Sequence, residues 1–325
     1  MIVKIERYFK YPNIRRQTPN LSMVWKDMVF TEEDIPECDY LVILDKPGKD
    51  ISIKVNKDNI IHLCLEPPNE VSKYRQYANT NAGIIFNQLD IKRNNILSHG
   101  ALPWHVNKSY DELTQCGPES LKKDNKIVWI TSNQNTSKGH NERMKFLERI
   151  KPLPCMEIKG RGFEEVEDKW DVLSKSKYAI AYENFQNDYY WTEKIADCFL
   201  SYTLPLYFGC NRISDFFPEK SFIQIDPKDK HIELFLSELV TSRKWEQNID
   251  AIIEARNLVL NRYQLFPFIY SAIENRKNSK GHHQLKRKEQ IHLSANEDYF
   301  DNTPFNVVLE KYYHKYLRMI KSKYS

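Results

Sequence analysis

The chain has no long hydrophobic run. Its longest apolar stretch, residues 199–209, holds Ser201, Thr203 and Pro205. That is far short of the roughly 20 apolar residues a spanning helix requires. The first 17 residues, MIVKIERYFKYPNIRRQ, lack the apolar centre of a signal peptide. The expectation is a protein that neither spans a membrane nor follows the conventional export route, with a cytoplasmic location. Cysteine is sparse. Cys38, Cys64, Cys116, Cys155, Cys198 and Cys210 are scattered and form no C-x-x-C, which reads as reduced thiols. Cys64 and Cys198 stand in apolar surroundings, as small core residues do.

Several common sites are missing. There is no P-loop, no G-x-S-x-G elbow, no H-E-x-x-H and no D-x-D pair to hold a divalent metal. His282, His283 and His292 fall in a basic stretch and read as surface residues rather than ligands. Gly160-Arg161-Gly162 follows an expected strand. The third position of a G-x-G-x-x-G is Glu165, however, and the acidic 163–168 segment would repel a pyrophosphate, so it reads as a turn. No internal repeat occurs. Whatever the chemistry, it is expected to proceed without a metal.

Hydrophobic residues at 41%, with aromatics at 13%, exclude a disordered chain. Charge is unevenly placed. Residues 275–325 hold eleven Lys/Arg and five Asp/Glu, a net of +6, which leaves −2 on the rest of a chain whose total is +4. A basic tail suits an anionic partner such as a membrane surface or nucleic acid, and it also suits a solvated end.

Short apolar runs alternate with helical patterns. Strands are predicted over 2–5, 40–44, 60–65, 83–86, 127–131, 156–159, 178–182, 204–208 and 222–225. Helices are predicted over 69–78, 141–150, 169–174, 192–201, 232–240 and 245–263. Such alternation implies βα units and mostly parallel sheets in an α/β fold. The polar stretch 114–125 breaks the pattern and reads as a linker. The expected organisation is an N-terminal domain over 1–120, a second domain over 121–274, and a basic loop with a C-terminal helix over 275–325. In 302–325, Val308, Leu309, Tyr312, Tyr313, Tyr316, Leu317 and Ile320 recur at helical spacing, with lysines and an arginine between them. Such a helix can lie on an anionic membrane or pack on its own protein.

The segment that carries chemistry is 177–226. A buried strand ends in Glu183-Asn184, a polar aromatic loop follows, and Thr192 caps a helix whose first turn holds Glu193 and Lys194. Glu193 complements the helix dipole, whereas Lys194 opposes it unless an anion is present. A phosphate would supply that anion. A capped surface helix with a solvent-facing lysine is the simpler alternative.

The order Tyr182-Glu183-Asn184, Tyr190-Trp191-Thr192-Glu193-Lys194, Thr203-Leu204-Pro205-Leu206, Gly209 and Phe216 with Lys220-Ser221-Phe222-Ile223 resembles the signature of the GDP-fucose-dependent α-1,3-fucosyltransferases, glycosyltransferase family 10. Tyr182 replaces a phenylalanine of that pattern and Trp191 a small aliphatic residue. Upstream, 129–149 resembles the family's strand, S-N-x-N and arginine-bearing helix, with Ser132, Asn133 and Arg143 at the matching positions. Leu63-Cys64-Leu65-Glu66-Pro67-Pro68 resembles its strand ending in Glu-Pro.

The resemblance implies two facing Rossmann-like domains in the GT-B arrangement. It implies Arg143 and Lys194 on the GDP diphosphate, since a guanidinium forks onto phosphate oxygens. Glu193 would take the ribose hydroxyls, while Asn184 and Tyr190 would fix nucleotide and sugar, within a donor site that includes Glu183, Thr192, Ser132 and Asn133. Glu66 would be the general base, its carboxyl raised by a buried strand exit; Glu70 is a nearby competitor. Trp104 and His105 are placed beside the acceptor cleft. The implied partners are a GDP-sugar donor and a glycan acceptor, lipid-linked or part of a lipopolysaccharide at the inner face of a bacterial membrane, with no cofactor, no metal and no nucleic acid. Two other readings stay open at this point. One is transfer of a different nucleotide-activated deoxysugar. The other is a non-catalytic basic module that binds glycan or nucleic acid.

Overall fold

The computed structural model describes residues 1–67, 82–89, 94–101, 104–135, 137–279 and 287–295. The helices expected over 69–78 and 302–325, Glu70, and the His282–His283 pair lie outside them.

The first half contributes β1 (Ile2–Arg7), β2 (Val24–Trp25), β3 (Met28–Thr31), β4 (Tyr40–Leu44), β5 (Ile51–Val55), β6 (Ile60–Leu63), β7 (Ile84–Asn87), β8 (Asn95–Leu97) and helix α1 (Tyr110–Gln115). Then follow β9 (Asp124–Ile130), α2 (Lys138–Ile150), β10 (Met156–Lys159), α3 (Lys169–Leu173), β11 (Ser176–Tyr182), α4 (Glu193–Leu200), β12 (Leu204–Phe208), β13 (Ile223–Gln224), α5 (Ile232–Leu239), α6 (Lys244–Leu258), α7 (Leu265–Ser279) and β14 (Glu289–Leu293).

Two main sheets result. The first has the order β2-β3-β1-β4-β6-β7-β8 and is parallel apart from the β2–β3 hairpin. The second, β10-β9-β11-β12-β13, is parallel throughout. Strands buried on both faces read as unbroken apolar runs, and all five residues of Tyr40–Leu44 are buried. Helix α4 shows the same logic, with every residue from Ile195 to Leu200 buried under the second sheet.

Two expectations change here. The stretch after Tyr263 continues into α7, whose Leu265, Phe266, Ile269 and Ile273 pack under the first sheet rather than the second. Pro267 stands in the first turn of α7, where its missing N–H has no intrahelical partner to lose. The basic stretch from 275 is also more than loop and helix: α7 runs to Ser279, and β14 pairs antiparallel with β5. Ile291 and Leu293 complete a core on the outer face of the first sheet with Leu41, Ile43, Ile53 and Val55. Residues Trp104, Val106 and Leu113 join the core of the second sheet instead. The Gly160-Arg161-Gly162 turn is as expected, with both glycines at positive φ.

Candidate functional site

The carboxyl ends of β6 and β11 face one another, the usual place for a ligand in parallel α/β sheets. Glu66 follows β6 and Asn184 follows β11, and both line a cavity of about 310 Å3 together with Tyr190, Thr192, Glu193 and Lys194. A second cavity of about 180 Å3 is lined by Ser132, Arg143, Lys169 and Tyr182. Glu193 and Lys194 line both.

The helix start is built as its sequence suggests. Thr192 is the N-cap of α4 and accepts from the Lys194 backbone N–H at 3.3 Å. The anion that Lys194 needs is already present, contrary to the expectation that a ligand must bring it. Lys194 Nζ lies 3.0 Å from Glu183 Oε2 and 3.6 Å from Glu193 Oε1. Glu183 is fully buried and also accepts the Thr192 N–H and hydroxyl, each at 2.8 Å. It lies beneath Lys194 and lines neither cavity. Gly209 permits this approach, because a Cβ there would stand 2.5 Å from the Tyr207 hydroxyl and 2.6 Å from Glu183 Cγ.

Charge in the site is tightly ordered. Burial would lower the Lys194 ammonium, but Glu183 and Glu193 outweigh it and hold its pKa above the ordinary value. Burial pushes the Glu193 carboxyl up, yet Lys194, His105 and Lys169 together bring it below the usual range. Burial dominates at Glu183 and leaves its carboxyl raised, although Lys194 pulls it part of the way back. His105 lies 3.8 Å from Glu193, and burial lowers its pKa although the Glu193 carboxylate pulls it part of the way back.

Arg143 reaches the site from α2. Its guanidinium donates to Asn184 Oδ1 at 3.0 Å, Ser132 O at 2.9 Å and Gln134 O at 2.9 Å, while its buried Nε has no partner. It thus organises Asn184 and Ser132. Gly139 lets α2 approach, since a Cβ there would lie 1.9 Å from the Asn184 carbonyl oxygen. Asn133 is exposed and lines neither cavity; its backbone N–H is held by the Arg161 carbonyl.

Glu66 accepts from the Tyr8 hydroxyl at 3.1 Å. It is exposed, so the burial assigned to it from sequence is absent. The strand ends three residues earlier, at Leu63. His105 lines the larger cavity, as placed, whereas Trp104 is buried in the core. Sequence reasoning missed Lys169 and Asp197, which form a 2.8 Å ion pair under Glu193. Asp197 also accepts the His105 N–H at 2.8 Å. The available signal was a lone aspartate in the otherwise apolar run 195–200.

A larger cavity, about 1000 Å3, lies elsewhere. It is lined by His99, Phe216, Tyr263 and Phe268 and holds none of these groups. Among the described residues, no cluster of three His, Cys, Asp or Glu side chains is placed to hold a metal ion. None of their helices is long and apolar enough to cross a membrane.

Residues 120–244 match the family model for the C-terminal part of glycosyltransferase family 10 (fucosyltransferase). An α-(1,3)-fucosyltransferase of Helicobacter pylori is 38% identical over 60 residues, which are 18% of this chain and 13% of that one. The human 4-galactosyl-N-acetylglucosaminide 3-α-L-fucosyltransferase 9 is 27% identical over 133 residues, 39% of this chain and 36% of that one. The matched stretches thus span well under half of these relatives. Among solved structures, an α-glucosyltransferase with UDP and DNA superposes with a TM-score of 0.52 at 10% identity, covering 85% of this chain and 99% of that one. An α1,3-fucosyltransferase with GDP gives 0.46 at 14% identity, covering 81% and 92%. With the superposition on the glucosyltransferase, the two parallel sheets give the fold as the α/β GT-B arrangement of two facing halves. Residues 120–244, with the motif order they contain, thus match the C-terminal part of glycosyltransferase family 10.

Proposed function

We propose that the chain transfers L-fucose from GDP-fucose to a hydroxyl of a glycan acceptor, with inversion and without a metal. The observation that carries this reading is the start of α4. There Lys194 and Arg143 line one cavity, and Glu66 lines the cavity next to it. Lys194 and Arg143 hold the diphosphate and stabilise the charge that grows on GDP as it leaves. Glu193 accepts hydrogen bonds from ribose hydroxyls. Asn184 and Tyr190 fix the nucleotide and sugar from the loop before α4, with Ser132 and Asn133 at the edge of the site.

Glu66, oriented by Tyr8, removes the proton of the acceptor hydroxyl. The freed oxygen attacks the anomeric carbon as its bond to the diphosphate breaks on the opposite face. One base and one stabilised leaving group suffice, in contrast to the carboxylate pair of glycoside hydrolases. The names of the matched relatives favour fucose and a 4-galactosyl-N-acetylglucosaminide-like acceptor. A surface polysaccharide or lipopolysaccharide, met at the inner face of a bacterial membrane by the basic C-terminal end, fits the charge distribution.

The test is calorimetric titration with GDP in EDTA. Wild type is expected to bind with a micromolar Kd, and Lys194→Ala to bind far more weakly. Because that change strands a buried Glu183 carboxylate, the double variant Glu183→Gln/Lys194→Met is measured beside it. A folded wild-type protein that ignores GDP overturns the reading.

A further inference from the structure

The loop between β11 and α4, residues 183–192, carries Asn184 and Tyr190 of the proposed donor site and is fastened to the first half at two points. Near its end, Trp191 stacks on His99 with ring centroids 4.3 Å apart and planes 11° from parallel. In its middle, Asn187 uses both ends of its amide. Oδ1 accepts the N–H groups of Tyr189 at 2.9 Å and Tyr190 at 2.7 Å. Nδ2 donates to the Gln88 carbonyl oxygen at 3.0 Å, across the cleft to the residue that follows β7.

The connection continues. Gln88 is 3% exposed, and its Nε2 donates to the Cys64 carbonyl at 2.7 Å. Cys64 lies two residues before Glu66. The intervening Leu65 N–H is pinned by Asp45 Oδ1 at 2.7 Å. Gln88 Oε1 is buried with no partner, so the donor end of its amide is what fixes this side chain. A run of three hydrogen bonds thus leads from the Tyr190 backbone to the strand exit that bears Glu66.

We infer that Asn187 and Gln88 are positioning residues that tie the donor loop to the strand exit carrying the acceptor base, so that base and leaving group keep one spacing. The tie is geometric, and its catalytic meaning rests on the fucosyl-transfer reading. Glu66 is exposed and lies past the end of its strand. Neither burial nor a sheet ladder therefore sets its distance from the donor. A misplacement of about 1 Å between reacting groups costs about a hundredfold in rate, which makes such a fastening consequential.

Two variants cut the run at different links. Asn187→Asp keeps the Oδ1 that holds Tyr189 and Tyr190 and loses the donor to Gln88. Gln88→Met keeps the shape and its backbone carbonyl and loses the donor to Cys64. Amide hydrogen exchange without nucleotide tests the tie itself. In both variants residues 61–67 are expected to exchange about five- to tenfold faster, a lost hydrogen bond's worth, while 124–130 in β9 keep the wild-type rate. Unchanged exchange at 61–67, or faster exchange everywhere, overturns the tie.

Its role is read from GDP affinity against turnover of GDP-fucose, with 4-galactosyl-N-acetylglucosaminide or water as acceptor. The GDP Kd is expected to stay within about twofold while kcat falls about tenfold. A parallel fall of affinity and kcat, or an unchanged kcat, overturns the positioning role. A wild type that binds no GDP overturns the donor assignment alone, and the exchange comparison still decides whether the two halves are tied.

Discussion

Lys194 and Glu183 are eleven residues apart in the chain and 3.0 Å apart in the fold. The motif around Lys194 was legible because its residues are neighbours in sequence: an N-cap, a first-turn glutamate and a lysine that opposes the dipole. Its counter-ion was not, since only the pairing of β11 with β12 and the small Gly209 bring Glu183 beneath it. Glu66 shows the converse. Its placement at a strand exit was readable from the apolar run before it, but its exposure depends on neighbours that the local sequence does not name. Glu193 gives a prediction at this scale. Lys194, His105 and Lys169 hold its carboxyl below the ordinary range despite burial. A depressed native pKa means the unfolded state binds more protons on acidification, so this stabilisation is complete above about pH 5 and is lost as pH falls. Wild-type Tm is expected to drop more steeply from pH 7 to pH 4 than that of Glu193→Gln, followed by thermal denaturation. Parallel slopes would refute the assignment.

At the scale of elements, the parallel strands were the readable part. Runs such as 40–44 and 204–208 are apolar without alternation because both their faces are covered, and their predicted and observed limits coincide. β5 was missed for the opposite reason: its residues alternate between buried and exposed, and its partner β14 lies more than 230 residues downstream. α7 was missed, the last helix before the basic stretch being predicted to end at Tyr263. Yet Phe266, fully buried edge-on to Phe30 at 5.0 Å, anchors that helix under the first sheet. Phe266→Ala is expected to destabilise the protein by about 3–5 kcal/mol, read by denaturant unfolding. GDP affinity should be retained in the fraction that remains folded, because Phe266 packs in the core of the first sheet, away from the cavities lined by Lys194 and Arg143.

For the whole molecule, the sheets and the residues between them divide the work, one side offering a carboxylate and the other a pair of cations. The division does not follow the chain in order. Segment 104–113 leaves the first half to fill the second core, and α7 with β14 returns from the far end to finish the first. A chain cut after residue 264 loses the helix that covers one face of the first sheet. It is expected to bind ANS and to elute as aggregates in size-exclusion chromatography, whereas the intact chain elutes as a discrete species. A monodisperse, dye-silent fragment would show that α7 is dispensable for the fold.

The return of α7 and β14 also sets an order on biosynthesis. The second sheet is continuous from residue 124 to 224, so it can assemble while the ribosome is still translating. The first sheet is made earlier but must wait with one apolar face bare until residue 279 has emerged, and β5, which lies outside that sheet, lacks its partner strand until residue 293 follows. The half synthesised first is therefore the half that finishes last, and it is the one a nascent-chain chaperone would have to shield.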